Sequence, residues 1–184
     1  LRVFPALGVS GNKRYRVIGI YRKTSDLMSE ARVKAFLRII REHEAKGFEK
    51  PYNALKWEGK KQISFSDLST HPSNVKEDKP AGAYQIRFTT WEGALKQTGW
   101  PKSFNSDMQD RLIIYLLQER PFEKTPHPRR TALGYIMEGD VEKAVNETKL
   151  WTFLAFLPGG GKQQQISMSN LMAVFDEYTK EYSK

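Results

Sequence analysis

A mostly helical α+β domain with a small β element and an N-terminal β-hairpin is the fold class that three observations on the sequence predict. Apolar residues recur at helical spacing in five segments, bounded by capping residues, Gly or Pro. A polar, aromatic stretch over residues 48–80, broken by Pro51, Gly59, Pro72 and Pro80, separates the first helix from the others. Before them, residues 1–24 set β-branched and aromatic runs on either side of Ser10-Gly11-Asn12, the composition of a hairpin. With 184 residues, 39% of them hydrophobic and 28% charged, the chain is long enough for one compact domain with a core and short for two. The expected division is a hairpin extension over residues 1–28 and a main domain over 29–184.

The elements follow in order. In the hairpin, the positive charge falls mostly on the second arm, from Lys13 to Lys23. From Ser29, an N-cap candidate followed by Glu30, the period turns helical, with Val33, Phe36, Leu37 and Ile40 at i, i+3, i+4 and i+7. Gly47 and Pro51 stop that helix. Residues 48–80 predict a long structured loop or short strands around "KKQISFSD", and a loop of such length in a compact domain is usually functional. "TTWEGALKQTG" predicts a helix ending near Gly99, and "NSDMQDRLIIYLLQER" another, capped at Asn105 or Ser106 and halted by Pro121. "PFEKTPHPRR" reads as a linker, "GDVEKAVNETKLWTFLAF" as a helix capped by Asp140, "LPGGGKQQQ" as a Gly-rich loop and "SMSNLMAVFDEYTKEY" as the last helix. Trp91 and Trp151 are assigned to the core.

Composition excludes several classes. The chain has no cysteine, so disulfides and thiolate metal sites are ruled out. No apolar run approaches the length of a membrane span, and the N-terminus lacks the apolar core of a secretory signal. A start at Leu1 points to a processed or trimmed product. His43, His71 and His127 lack metal-ligand spacing, and no cofactor is expected. "LPGGGK" is not a phosphate loop, because Gln163 stands where a Ser or Thr would bind magnesium and the upstream glycine is missing. The net charge of +9 favours a polyanionic setting: nucleic acid, an acidic membrane face or the anionic bacterial envelope. A basic nucleic-acid-binding module is thus a competing class, but no groove-binding motif supports it.

Within the first helix, Glu44 raises a question of chemistry. At about 100° per residue, a position eleven along falls about 20° from its starting direction, so Glu44 shares the face of Val33, Leu37 and Ile40. Lost hydration and the negative end of the helix dipole both favour the protonated form there. A carboxylic acid kept protonated near neutral pH is a general acid, able to hand a proton to a poor leaving group such as a glycosidic oxygen. The competing interpretation is a helix that frays after Ile40, leaving Glu44 in solvent beside Lys46.

A series of blocks in fixed order bears on that choice. "KAFLRIIREHE" ends on Glu44; "FSDLSTHP" follows; Gly82-Ala83-Tyr84-Gln85 precedes a Trp-bearing helix; Phe104, Gln109 and Asp110 open the next; and "GDVEKAV", Trp151 and "LPGGG" lie near the end. In these blocks, over residues 33–178, the chain resembles the bacteriophage lambda lysozyme family of phage lytic transglycosylases. The resemblance implies a lysozyme-like fold with Glu44 as the single catalytic carboxylate. It further implies substrate-binding roles for Tyr52, Asn53, Ser66, Asp67, Tyr84 and Gln85. Departures exist: His43 and Ala45 flank the glutamate where the family has Ser and Gly, the loop to Tyr52 is shorter, and Asn53 replaces an Asp. Asp67 is equally a turn-forming Asx residue, and the alternative for Tyr84 and Gln85 is ordinary packing before a helix.

The activity so implied is cleavage of the MurNAc-GlcNAc β-1,4 bond of peptidoglycan. The muramic C6 hydroxyl serves as nucleophile, so one glutamate suffices as acid and then base, and the product is a 1,6-anhydro sugar. Ordinary hydrolysis, the muramidase alternative, usually needs a second carboxylate. The expected partners are glycan strands and the anionic envelope, not nucleic acid, and the chain is expected to be a monomer. It would be made in the host cytoplasm and act on the wall from the periplasm as an endolysin, or be carried on the virion.

Overall fold

The computed structural model describes residues 24–58, 61–119, 131–150, 154–160 and 165–184. The expected hairpin up to residue 23, its basic run, the 121–130 linker with His127, Trp151, and residues 161–164 of the Gly-rich loop lie outside the described residues. Residues 24–28, grouped by sequence with the hairpin, belong to the folded body. Thr24–Leu27 form a short helix, α1, and Leu27 is buried in the core.

The central helix, α2 (Ala31–Glu44), buries Val33, Ala35, Phe36, Leu37, Ile39 and Ile40. That is more than one stripe, because α2 is covered on several sides, by α7 (Met168–Tyr182) above all and by α4 (Ser106–Glu119) and α5 (Ala132–Glu138). The broad apolar face turns to these neighbours, while Arg32 and Glu42 remain exposed. Each large side chain so buried stabilises the fold by about 1.5–3 kcal/mol. Phe36 meets Phe175 of α7 edge-on, with centroids 6.4 Å apart. Ser29 is not the N-cap: its hydroxyl donates to Asp26 O at 2.7 Å, and Glu30 occupies the cap position without a side-chain capping bond to the helix.

After α2, a 3-10 turn over Pro51–Asn53 leads into β1 (Ala54–Glu58), which pairs antiparallel with β2 (Lys61–Ser64). This hairpin falls within the stretch expected to hold short strands. A second pair, β3 (Pro80–Ala81) with β4 (Ile86–Arg87), encloses the Gly82–Gln85 turn, and Gly82 N–H donates to Ala54 O at 2.7 Å to join the two sheets. Gly82 has φ +77°, and a Cβ there would lie 2.1 Å from Gln109 Oε1, so no larger residue fits.

α3 (Phe88–Thr98) ends at Gly99 in the left-handed conformation, as expected. Trp91 is 1% exposed and donates its indole N–H to Ser103 O at 2.9 Å. Asn105 provides the cap of α4, accepting from Met108 N–H at 2.9 Å. Helix α5 was not marked by periodicity, because two turns are too short for a period to register. Thr131 caps it and Gly139 terminates it. α6 (Val141–Glu147) is capped by Asp140 as expected but is shorter than its apolar pattern suggested. Lys149 takes φ +49° and breaks it. Gly160 of "LPGGG" answers to backbone crowding: a Cβ there would lie 2.2 Å from Ala155 O. Among the described residues, no helix is long and apolar enough to cross a membrane.

Candidate active site

Glu44 is the last residue of α2, and the helix does not fray after Ile40. It runs a further turn and closes with Ala45 N–H on Arg41 O at 2.9 Å. Glu44 is partly buried, with Ile40 one turn behind it and Ala45 next to it both in the interior. The chain then turns at Gly47, φ +79°, and enters β1, so Glu44 stands where the central helix meets the β element. Beside it, His43 stacks on Phe156 at 4.5 Å and 14°, and its Nδ1 lies 2.9 Å from Ile39 O. Since a carbonyl only accepts, Nδ1 carries the proton and the ring is fixed against the 154–160 loop.

Two tyrosines converge on one carboxylate. Tyr52 donates its hydroxyl to Asp110 Oδ1 at 2.8 Å, and Tyr84 donates to the same oxygen at 2.5 Å. Arg41, one turn before Glu44, donates Nη1 to Tyr84 Oη at 3.0 Å, with Asp110 Oδ1 at 3.9 Å. Tyr84 is 3% exposed, and burial, with the Asp110 carboxylate, pushes its phenol well above its ordinary range. Burial and Asp110 likewise push Tyr52 up to about 12. Burial raises Asp110 itself, against the pull of both tyrosine hydroxyls and Arg41. Both phenols therefore stay protonated at neutral pH, as donors locked onto Asp110.

The other sequence-predicted residues are tied to backbone or exposed. Asn53 donates Nδ2 to Phe65 O at 2.7 Å, while Phe65 N–H donates to Asn53 O at 3.1 Å, closing the base of the β1–β2 hairpin. Gln85 adopts φ +48° and donates Nε2 to Gly82 O at 2.9 Å, so its amide braces its own turn. Ser66 is exposed. Asp67 is exposed in an Asx turn, accepting from Ser69 N–H at 2.8 Å, and the Ser69 hydroxyl and amide hold its carboxyl below the usual range. Tyr52 and Tyr84 are brought together, with rings 6.3 Å apart.

Gln109 organises these segments. Fully buried, it accepts from Ala83 N–H at 2.9 Å and donates Nε2 to Phe104 O at 2.7 Å and Tyr52 O at 3.0 Å. One amide thus ties the Gly82–Gln85 turn, the Tyr52 turn and the start of α4 together. In the sequence Gln109 and Asp110 stand out only as part of the family blocks, and Arg41 does not stand out at all. The available signal was spacing: Gln109 shares a face with Leu112 and Ile113, and a polar residue on an apolar stripe needs buried partners.

Two cavities flank Arg41. One of about 180 Å³ is walled by Lys34, Leu37, Arg41, Tyr52, Asp110 and Tyr182. The other, about 370 Å³, lies along Arg38, Arg41, Ala45 and Lys46 beside the turn after Glu44. Of the sequence-predicted residues, Tyr52 alone appears in these walls.

Residues 34–181 match the Endolysin family. Among solved structures, the chain is similar to the bacteriophage lambda lysozyme complexed with a chitohexasaccharide. That similarity has 28% identity and a TM-score of 0.62, and covers 81% of this chain and 94% of the other. A second structure of the lysozyme from bacteriophage lambda, at 23% identity and a TM-score of 0.53, covers 84% of this chain and 93% of its own and supports the fold. Direct comparison with curated protein sequences returns no match. With a match over most of its length and a helical body bearing the small β element at the end of α2, this chain belongs to the Endolysin family and is a phage, lysozyme-like enzyme that degrades peptidoglycan.

Proposed function

We propose that the chain is a lytic transglycosylase in which Glu44 is the only catalytic carboxylate. It protonates the glycosidic oxygen of the MurNAc-GlcNAc bond and then accepts the proton of the muramic C6 hydroxyl as that oxygen closes on C1. Bond cleavage and ring closure balance without water, and a 1,6-anhydro end results. The observation that carries the proposal is the position of Glu44: last residue of the central helix, half-buried, at the junction with the β element. The single-acid scheme draws support from the fate of the other acids in the matched blocks. Asp67 lies in an exposed turn, Asp110 accepts from two tyrosines, and Asn53 is no acid at all.

Tyr52 and Tyr84 act in this scheme through Asp110 and Arg41, by fixing the end of α2. Asn53 and Gln85 shape the two turns of the β element, and Ser66 and Asp67 lie on an exposed segment where a glycan strand would pass. The bacteriophage lambda lysozyme complexed with a chitohexasaccharide supports a glycan strand as the ligand here. Action on the wall, from the periplasm or from a virion, follows from that substrate. Hydrolytic cleavage is the alternative outcome.

Glu44→Gln keeps the side-chain shape but cannot exchange the proton. It is expected to fold as the parent does and to lose roughly 10²–10⁴-fold in turnover on purified cell walls. A variant that retains parental turnover would remove Glu44 from the chemistry.

A further inference from the structure

The smaller cavity at Arg41 has an unbalanced charge that the proposed chemistry does not use. Its walls hold two cations from one face of α2, Lys34 and Arg41, against one carboxylate, Asp110. Asp110 Oδ1 already accepts from Tyr52 and Tyr84. The Lys34 ammonium stands 5.9 Å over the Tyr182 ring and forms no ion pair with any described residue. The Arg41 side chain is four-fifths covered, yet Nη1 alone has a hydrogen-bond acceptor, the Tyr84 hydroxyl. Its Nε and Nη2 have none among the described residues, and the Arg41 side chain lines the cavity. A partly desolvated guanidinium with an edge left open is a strong donor pair for a planar anion.

We infer that this cavity is a subsite for a carboxylate carried by the substrate, bound by the open edge of Arg41 and by Lys34. Two features set the ligand class. The balance of Lys34, Arg41 and Asp110 is a single positive charge, which suits a monoanionic carboxylate better than a phosphate dianion. A volume of about 180 Å³ holds a small acidic group and not a length of sugar chain. Resting on the proposed action on cell-wall glycan, the inference names a finer substrate class: glycan whose muramic sugars bear short peptides with free carboxylates. Arg41 precedes Glu44 by one turn of the same helix, so an anchored peptide acid would help hold the muramic sugar near Glu44.

The test is calorimetric titration of the full chain carrying Glu44→Gln with two probes, a muramoyl dipeptide with a free terminal carboxylate and the same compound as its terminal amide. The acid is expected to bind about tenfold more tightly, the worth of one charge-assisted contact. That preference is expected to vanish in Arg41→Gln and to shrink in Lys34→Gln, which leaves the Tyr84–Asp110 contacts intact. Equal affinity for both probes, no measurable binding of the acid, or a preference that survives both substitutions would overturn the subsite. Turnover plays no part in this readout, so loss of the subsite and failure of the Glu44 assignment are separately visible.

Discussion

Replacing Gln109 with Met preserves chain length and apolar volume but removes every hydrogen bond made by the amide. Ala83 N–H, Phe104 O and Tyr52 O then lose their partner. A buried group left unsatisfied costs about 1–3 kcal/mol, and water can reach only the partly buried Tyr52 end, so the three together amount to roughly 3–6 kcal/mol. That is a large share of the ~5–15 kcal/mol by which domains are stable, and at this chain length it lowers Tm by roughly 6–24 °C. Urea and thermal unfolding followed by circular dichroism measure it directly. Because the amide also sets the Tyr52 and Gly82–Gln85 turns against α4, turnover at low temperature should fall even where the variant is fully folded. A destabilisation below about 1 kcal/mol, comparable to a conservative core swap, would refute the role of Gln109 as the tie between the segments.

Two further outcomes follow from contacts in the β element. Asn53→Asp exchanges the donor on Phe65 O for an acceptor and is expected to destabilise by about 1–3 kcal/mol, read as a lowered Tm; an unchanged Tm would contradict the hairpin-closing contact. His71 is buried, its Nε2 donating to Ile86 O and its Nδ1 accepting from Ser73 N–H, and burial holds its pKa below the usual imidazole value. The folded state therefore binds fewer protons than the unfolded one below about pH 6.5, so stability is full above that pH and falls as the medium is acidified toward the folded pKa. His71→Gln should flatten that acid limb in urea midpoints measured across pH, and an unaltered slope would count against it.

Much of the architecture was legible because it is local. The spacing of Val33, Phe36, Leu37 and Ile40 marked α2, and Gly99, Asn105 and Asp140 marked helix ends through side-chain or backbone chemistry acting within a few residues. What escaped is either short or non-local. α5 is too brief to show a period, and the far end of α6 is cut off by a left-handed Lys149 that apolar spacing does not encode. The polar cluster is the clearest case. Arg41, Tyr84 and Asp110 are separated by 43 and 26 residues, and nothing in their own neighbourhoods says that they meet. Tyr84 and Gln85 are substrate-binding residues in the sequence only through the family resemblance of the Gly82–Gln85 block. Folding turns one toward Asp110 and the other onto the carbonyl of Gly82.

The most direct measurement is the mass of the muropeptides released from purified peptidoglycan by the full chain, with Glu44→Gln as the control. Intramolecular attack by the C6 hydroxyl predicts fragments ending in 1,6-anhydro sugars, each one water lighter than a reducing end, and none from the variant. Reducing ends from the parent would show that water is the nucleophile, contradicting the single-carboxylate chemistry assigned to Glu44.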